Sequence, residues 1–223
     1  MGVLLPSLSF TYIWTSLLAF VVFSIAYPFL RRRPLSVKGK HVLITGASTG
    51  LGFALAEAFV KRGANVSILS KNPGRLAEAR EKLLAARGDP SQRVVALQCD
   101  VTHLVEVDRA AKDAIDQLGA PAYLIPAAGL ALPGWFADVA VDEHRAQMEL
   151  NYFGALYIVK ACLPSMIAAK GGSVCFVSSA MALLGFAGYS MYAPTKYALR
   201  GLADSLRNEL IRYNIKVRSR LSR

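Results

Sequence analysis

Charge is missing from the start of this chain: no Asp, Glu, Lys, Arg or His occurs before Arg31. Such a stretch is a poor solvent-facing surface, and within it residues 8–27, LSFTYIWTSLLAFVVFSIAY, form a continuous apolar run. At about 1.5 Å per residue that run crosses a hydrocarbon layer of about 30 Å. Also lacking are a basic n-region and a small-residue cleavage site, which argues against a cleaved signal peptide. Pro28 and then Arg31, Arg32 and Arg33 close the run, and basic residues following a span hold that side in the cytosol. The expectation is one N-terminal membrane anchor with its basic flank (residues 1–33), followed by a cytosolic domain (residues 34–223). Thr11, Thr15, Ser16 and Ser24 keep open a buried or interfacial helix instead.

Cysteine and histidine are scarce, three of each. Cys99, Cys162 and Cys175 show no C-x-x-C spacing and suit a reducing compartment as core residues. His41, His103 and His144 are scattered, so no metal site is expected. The formal charge of +11 is not a nucleic-acid signal: residues 31–40 and 212–223 each hold five basic groups and no acid, which leaves 16 basic against 15 acidic elsewhere. The first cluster is placed to meet anionic lipid headgroups, and no zinc-finger or aromatic RNA-binding pattern accompanies either. Membrane lipid is therefore an expected partner and nucleic acid is not.

Internal repeats and low-complexity segments are absent too. After residues 34–40 the pattern alternates between short apolar runs and helical stretches. Strands are expected at residues 41–45 (HVLIT), 65–70 (NVSILS), 93–98, 122–126 and 173–177 (SVCFV). Helices are expected at 51–62, 73–87, 105–118, 142–169 and 194–213. Apolar strands alternating with helices indicate a doubly wound α/β domain, with a parallel sheet covered on both faces.

The first strand runs into Gly46-Ala47-Ser48-Thr49-Gly50-Leu51-Gly52 and a helix opens at once. Glycines there let the backbone approach a pyrophosphate, whose charge is stabilised at the helix N-terminus. The second strand ends Ser70-Lys71-Asn72 with Arg75 close behind, and no acid is present to hold the ribose hydroxyls of NAD. Lys71 could instead pair with a 2′-phosphate, which points to NADPH; the other reading is a solvated turn lysine.

Carbonyl reduction needs a proton donor beside the developing alkoxide, and a tyrosine serves where adjacent positive charge favours its ionised form. In YSMYAPTKYALRG (residues 189–201), only Tyr192 has a lysine four residues on, Lys196, which puts both on one helical face. Pro194 is tolerable in a first helical turn. Tyr189 is expected in a pocket wall and Tyr197 in helix packing. Strand five ends in Ser178-Ser179, where a hydroxyl would emerge at the ligand-binding edge of the sheet. Asn151, in NYFG, is an amide able to hold a water or carbonyl in a proton relay; singly, Asn151 also reads as a helix-bending polar residue and Ser179 as a cap.

These elements resemble the classical short-chain dehydrogenase/reductase family: TGASTGLG (residues 45–52), CDV (99–101), AAG (127–129), NYFG (151–154), VSS (177–179) and YAPTK (192–196). The resemblance covers about residues 38–217 and implies a Rossmann-like fold. It implies Tyr192 as proton donor and Lys196 as its partner and a nicotinamide-ribose ligand. The family's serine lies thirteen residues before the tyrosine, which selects Ser179, and Asn151 completes the tetrad. Asp100 and Val101 would flank the adenine, with Ala128 and Gly129 beside the cofactor.

Within the family, the N-terminal segment, YAPTKYALRGLADSLRNEL and NYFG are most similar to the 3-ketodihydrosphingosine reductases. That implies NADPH-dependent reduction of a long-chain amino ketone, 3-ketosphinganine, on the cytosolic face of the endoplasmic reticulum. It also allows a homodimer through the two long helices. The alternatives are a membrane-bound hydroxysteroid or retinol dehydrogenase, or a non-catalytic module associating with a full-length reductase. Two departures stand out. The family's N-N-A-G reads Pro126-Ala127-Ala128-Gly129, which removes a bracing amide and predicts altered geometry at the fourth strand. After residues 215–217 the chain ends RSRLSR, which predicts a sixth strand cut short and a missing substrate lid.

Overall fold

The computed structural model describes residues 12, 14–20, 23 and 36–221. Residues 1–36 and Val37–Arg223 form two separate compact units. In the first, residues 12, 14–20 and 23 are helical, and Tyr12, Trp14, Leu17, Leu18, Phe20 and Phe23 are exposed. The rest of the expected anchor, and the Arg31–Arg33 cluster, lie outside the described residues.

In the second unit six strands form one parallel sheet: β1 (His41–Thr45), β2 (Asn65–Ser70), β3 (Val94–Gln98), β4 (Tyr123–Pro126), β5 (Gly172–Ser178) and β6 (Ile215–Leu221). Their spatial order is β3-β2-β1-β4-β5-β6. The order reverses between β1 and β4, and the crevice beyond the carboxyl ends of those strands is where such sheets bind ligands. The helices are α1 (Gly50–Val60), α2 (Pro73–Ala85), α3 (Leu104–Leu118), α4 (Val141–Met148), α5 (Gly154–Ala168) and α6 (Tyr192–Glu209).

Side-chain alternation in the strands divides the core in two. Leu43, Leu69, Leu124, Val174 and Phe176 face one way and pack with α3, α5 and α6. Val42, Ile44, Val66 and Ile68 face the other way and pack with α1 and α2. The helices supply matching stripes: Val107, Ala110, Ala111 and Ala114 are the buried residues of α3, at spacings of three and four. Asn72 caps α2 by accepting from Arg75 N at 2.9 Å, and Pro73 occupies a first-turn position where no amide partner is lost.

The expected elements all form, with ends shifted by a few residues, and three places differ from expectation. The stretch read as one helix over 142–169 is interrupted by a π-helical turn, Glu149–Phe153, centred on Asn151. The last helix ends at Glu209 and continues only as a 3-10 turn, Ile211–Tyr213. The sixth strand is not cut short at residue 217. It runs to Leu221 and pairs with all of β5, from Gly172↔Ile215 to Ser178↔Leu221. Lys216 and Arg218 are exposed while Ile215 and Val217 are buried, so the polar ending alternates as a strand does.

Val141–Ala168 is the one described helix long and apolar enough to cross a membrane by length and composition. It is a core helix here, with Ile158, Val159, Cys162 and Met166 packed in the cluster that covers the sheet.

Candidate active site

The carboxyl edge of the sheet holds a cleft of about 660 Å³, placed at the switch between β1 and β4. Its first wall is the turn from β1 to α1. Gly46 has φ +66°, and a Cβ there would lie 2.6 Å from Ala128 Cα, so only glycine lets this turn rest against the end of β4. Neither a side-chain cap nor an acid neutralises the α1 N-terminus, leaving its amides and dipole turned to the cleft. Gly46, Ser48, Thr49, Gly50, Leu51 and Gly52 all line the space. Ser48 Oγ and Ser70 Oγ, 2.8 Å apart, tie the turn to the end of β2.

Lys71 and Arg75 line the wall beyond β2, and Asp100 and Val101 the wall beyond β3. The Asp100 carboxylate accepts from Thr102 N at 3.0 Å and Thr102 Oγ1 at 2.8 Å. Its pKa is held below the usual value: burial opposes the charged form, but these hydrogen bonds and the Lys71 and His103 charges outweigh it. The aspartate therefore also fixes the β3–α3 turn.

Tyr192 and Lys196 line the far end of the same cleft, beside Val177 and Gly129. Both stand in the first turn and a half of α6, with Lys196 Nζ 5.6 Å from the Tyr192 ring centroid. Lys196 is buried and donates to Val177 O at 3.1 Å. Burial pulls its pKa down from 10.5 to about 8. Tyr189 packs edge-on against Tyr192, ring centroids 6.3 Å apart, and lines a neighbouring apolar pocket with Trp135, Phe136 and Phe186. Tyr197 differs from expectation: it is 45% exposed, on the outer side of α6 rather than in helix packing.

Two tetrad candidates lie apart from the cleft lining. Ser179 sits just beyond β5, where its Oγ accepts from Met181 N at 3.2 Å and caps the short 3-10 helix Ala180–Ala182. Asn151 is buried in the π turn, and its side chain is hydrogen-bonded to the loop after β4 and to α6. Oδ1 accepts from Leu130 N at 2.8 Å, while Nδ2 donates to Leu130 O at 2.9 Å and approaches Thr195 Oγ1 at 3.2 Å. This grips the loop after β4. A Cβ on Gly129 would stand 2.9 Å from Asn151 Oδ1 and 3.8 Å from Lys196 Nζ.

The sequence reading overlooked several positioning groups. Thr45 Oγ1 accepts from Ala127 N and Ala128 N, both at 3.1 Å. It supplies the brace expected to be missing beside Pro126, and Pro126 keeps its register opposite Thr45. Thr195, fully buried, donates to Tyr192 O at 2.7 Å. Gln147 is buried one helical turn before Asn151. The available signal was a polar residue inside an apolar pattern, which does not say what the residue touches.

The residues expected around a dinucleotide line this one cleft, from the glycine turn, of which only Ala47 is buried behind it, to Lys196. Uncapped amides, a glycine-floored turn and two cations beyond β2 fit a phosphate-bearing dinucleotide. Among the described residues no group of His, Cys, Asp and Glu is placed to hold a metal ion.

Comparison with known proteins agrees with this geometry. The sequence profile for short chain dehydrogenase matches residues 40–220. A 3-dehydrosphinganine reductase from Danio rerio is 35% identical over 191 residues, which covers 85% of this chain and 58% of the relative. A 3-ketodihydrosphingosine reductase from Bos taurus is 34% identical over 204 residues, covering 91% and 61%. A short-chain dehydrogenase structure from Streptomyces avermitilis superposes with TM-score 0.74 at 37% identity, covering 81% of this chain and 64% of that one. The chain thus spans about three fifths of the length of these relatives.

Proposed function

This chain belongs to the short chain dehydrogenase family, and from that premise we propose that it is an NADPH-dependent reductase of the ketone of 3-ketosphinganine, giving dihydrosphingosine. The observation that carries the reading is the shared cleft: the Tyr192–Lys196 pair opens onto the same space as the glycine turn and the cations Lys71 and Arg75. The names of the Danio rerio and Bos taurus relatives support the substrate.

In this reading the α1 N-terminus and the 46–52 turn hold the pyrophosphate. Lys71 and Arg75 receive the 2′-phosphate, which distinguishes NADPH from NADH. When bound there, the dinucleotide would supply the hydride that the carbonyl carbon accepts. Tyr192 donates its phenolic proton to the carbonyl oxygen as negative charge develops there. The Lys196 ammonium stabilises the phenolate left behind, and burial strengthens that interaction. With its pKa at about 8, Lys196 is still mostly cationic at neutral pH. Asn151 and Thr195 hold the 129–130 loop and the first turn of α6 in place. Ser179, at the end of β5, would orient the substrate carbonyl.

We propose further that the uncharged N-terminal segment anchors the chain in the endoplasmic reticulum membrane with the catalytic domain in the cytosol. The apolar run and the following arginines support this. A homodimer through α5 and α6 is part of the same proposal.

The test is loss of NADPH absorbance when the purified chain is given 3-ketosphinganine, with hydroxysteroid and retinoid substrates as comparison. Tyr192→Phe is expected to abolish turnover while NADPH still binds. A loss of less than about tenfold would remove Tyr192 from the proton-donor role, since positioned acid catalysis is worth about a hundredfold or more.

A further inference from the structure

Buried polar side chains are retained where their hydrogen bonds are satisfied, and the partners of a buried amide indicate what it holds. Gln147 is 4% exposed, the one buried residue of α4. Oriented to satisfy both neighbours, its amide oxygen accepts from Leu132 N at 2.9 Å and its nitrogen donates to Leu130 O at 3.1 Å. The opposite orientation lets the oxygen accept from Asn151 Nδ2 at 3.1 Å, but sets that oxygen against the Leu130 carbonyl and the nitrogen against the Leu132 N–H, one bond in exchange for two. One helical turn on, Asn151 bonds Leu130 N and Leu130 O. Two side-chain amides of one helix therefore grip residues 130–132, much as a neighbouring strand would.

That backbone floors the cleft. Gly129, Leu130 and Ala131 line it, and a Cβ on Gly129 would meet both Asn151 Oδ1 and Lys196 Nζ. Leu130 and Leu132 themselves are half exposed, so apolar burial does little to hold this segment. We propose that Gln147 is a positioning residue: by holding residues 130–132 it keeps Gly129 against Lys196 and sets the affinity of the cleft for its dinucleotide. The dinucleotide part rests on the functional reading above; the grip on the loop does not.

Gln147→Met keeps length and fills the space but has no donor or acceptor for the loop. In the full chain, purified in mild detergent, the Leu132 amide is expected to exchange with deuterium about tenfold faster, whereas the Leu130 amide, still held by Asn151, keeps its rate. NADPH, followed by its fluorescence, is expected to bind about fivefold more weakly. Unchanged Leu132 exchange in Gln147→Met, or faster exchange with undiminished NADPH binding, overturns the proposal. If Gln147→Met does not fold, the wild-type chain decides: a Leu132 amide exchanging at the unprotected rate of a loop also overturns it. A wild-type chain that binds no NADPH refutes the functional reading instead, and Leu132 exchange still decides whether Gln147 holds the loop.

Discussion

The buried imidazole of His41 makes a pH-dependent contribution to stability whose sign and size follow from its surroundings. His41 begins β1, 4% exposed, with Nδ1 2.6 Å from Gly119 O and Nε2 2.9 Å from Ser67 Oγ. The carbonyl can only accept, so Nδ1 carries the proton and Nε2 accepts from the serine. Desolvation lowers the pKa from 6.5 to about 4 against the opposing hydrogen bond to Gly119. The unfolded chain therefore binds a proton as pH falls through 6.5, whereas the folded chain does not until about 4. The contribution is fully present above pH 6.5 and is lost progressively between 6.5 and 4. Between about pH 7 and about pH 5 the difference amounts to about 2 kcal/mol. Urea unfolding of the full chain in mild detergent measures it. His41→Gln does not titrate, and its stability should vary with pH by about 2 kcal/mol less than wild type over that range. Carboxylates titrate alike in both proteins and cancel in the comparison. An identical pH slope for wild type and His41→Gln would refute the assignment of a neutral, desolvated imidazole.

Three further outcomes follow from the same geometry. Phe176 is fully buried in β5 between the sheet and its covering helices, so Phe176→Ala should cost about 3–5 kcal/mol of stability, read as a lower urea midpoint. Lys71→Ala should weaken NADPH binding about tenfold while leaving NADH nearly unchanged, because a cation facing a doubly charged phosphate is lost; equal weakening of both would return Lys71 to a solvated turn. Reduction should slow as pH rises through about 8, the pKa of Lys196, because the ammonium beside Tyr192 is lost above it; a pH–rate profile flat across that value would contradict this role.

Local sequence determined the elements and the residue types at the sheet edge. The short apolar runs HVLIT and NVSILS, the three-and-four spacing of α3, and glycines directly after an apolar strand carry their meaning in the order of residues. The Tyr192–Lys196 spacing on one helix is equally local, which is why that pair is legible in the sequence alone. Tertiary structure decided what distant groups do to one another. The brace beside Pro126 comes from Thr45, 82 residues away, and the loop after β4 is held by Asn151, 21 residues on. Neither partner follows from spacing, because each depends on which strands adjoin and on where a helix loosens into a π turn. The polar residues ending β6 looked like a broken interior strand, yet they pair in parallel with β5 at the edge of the sheet, where exposure accommodates Lys216 and Arg218. Sequence can name a buried amide or imidazole; its hydrogen-bond partner and its pKa belong to the packed fold, since desolvation and distance are set only when the chain closes on itself.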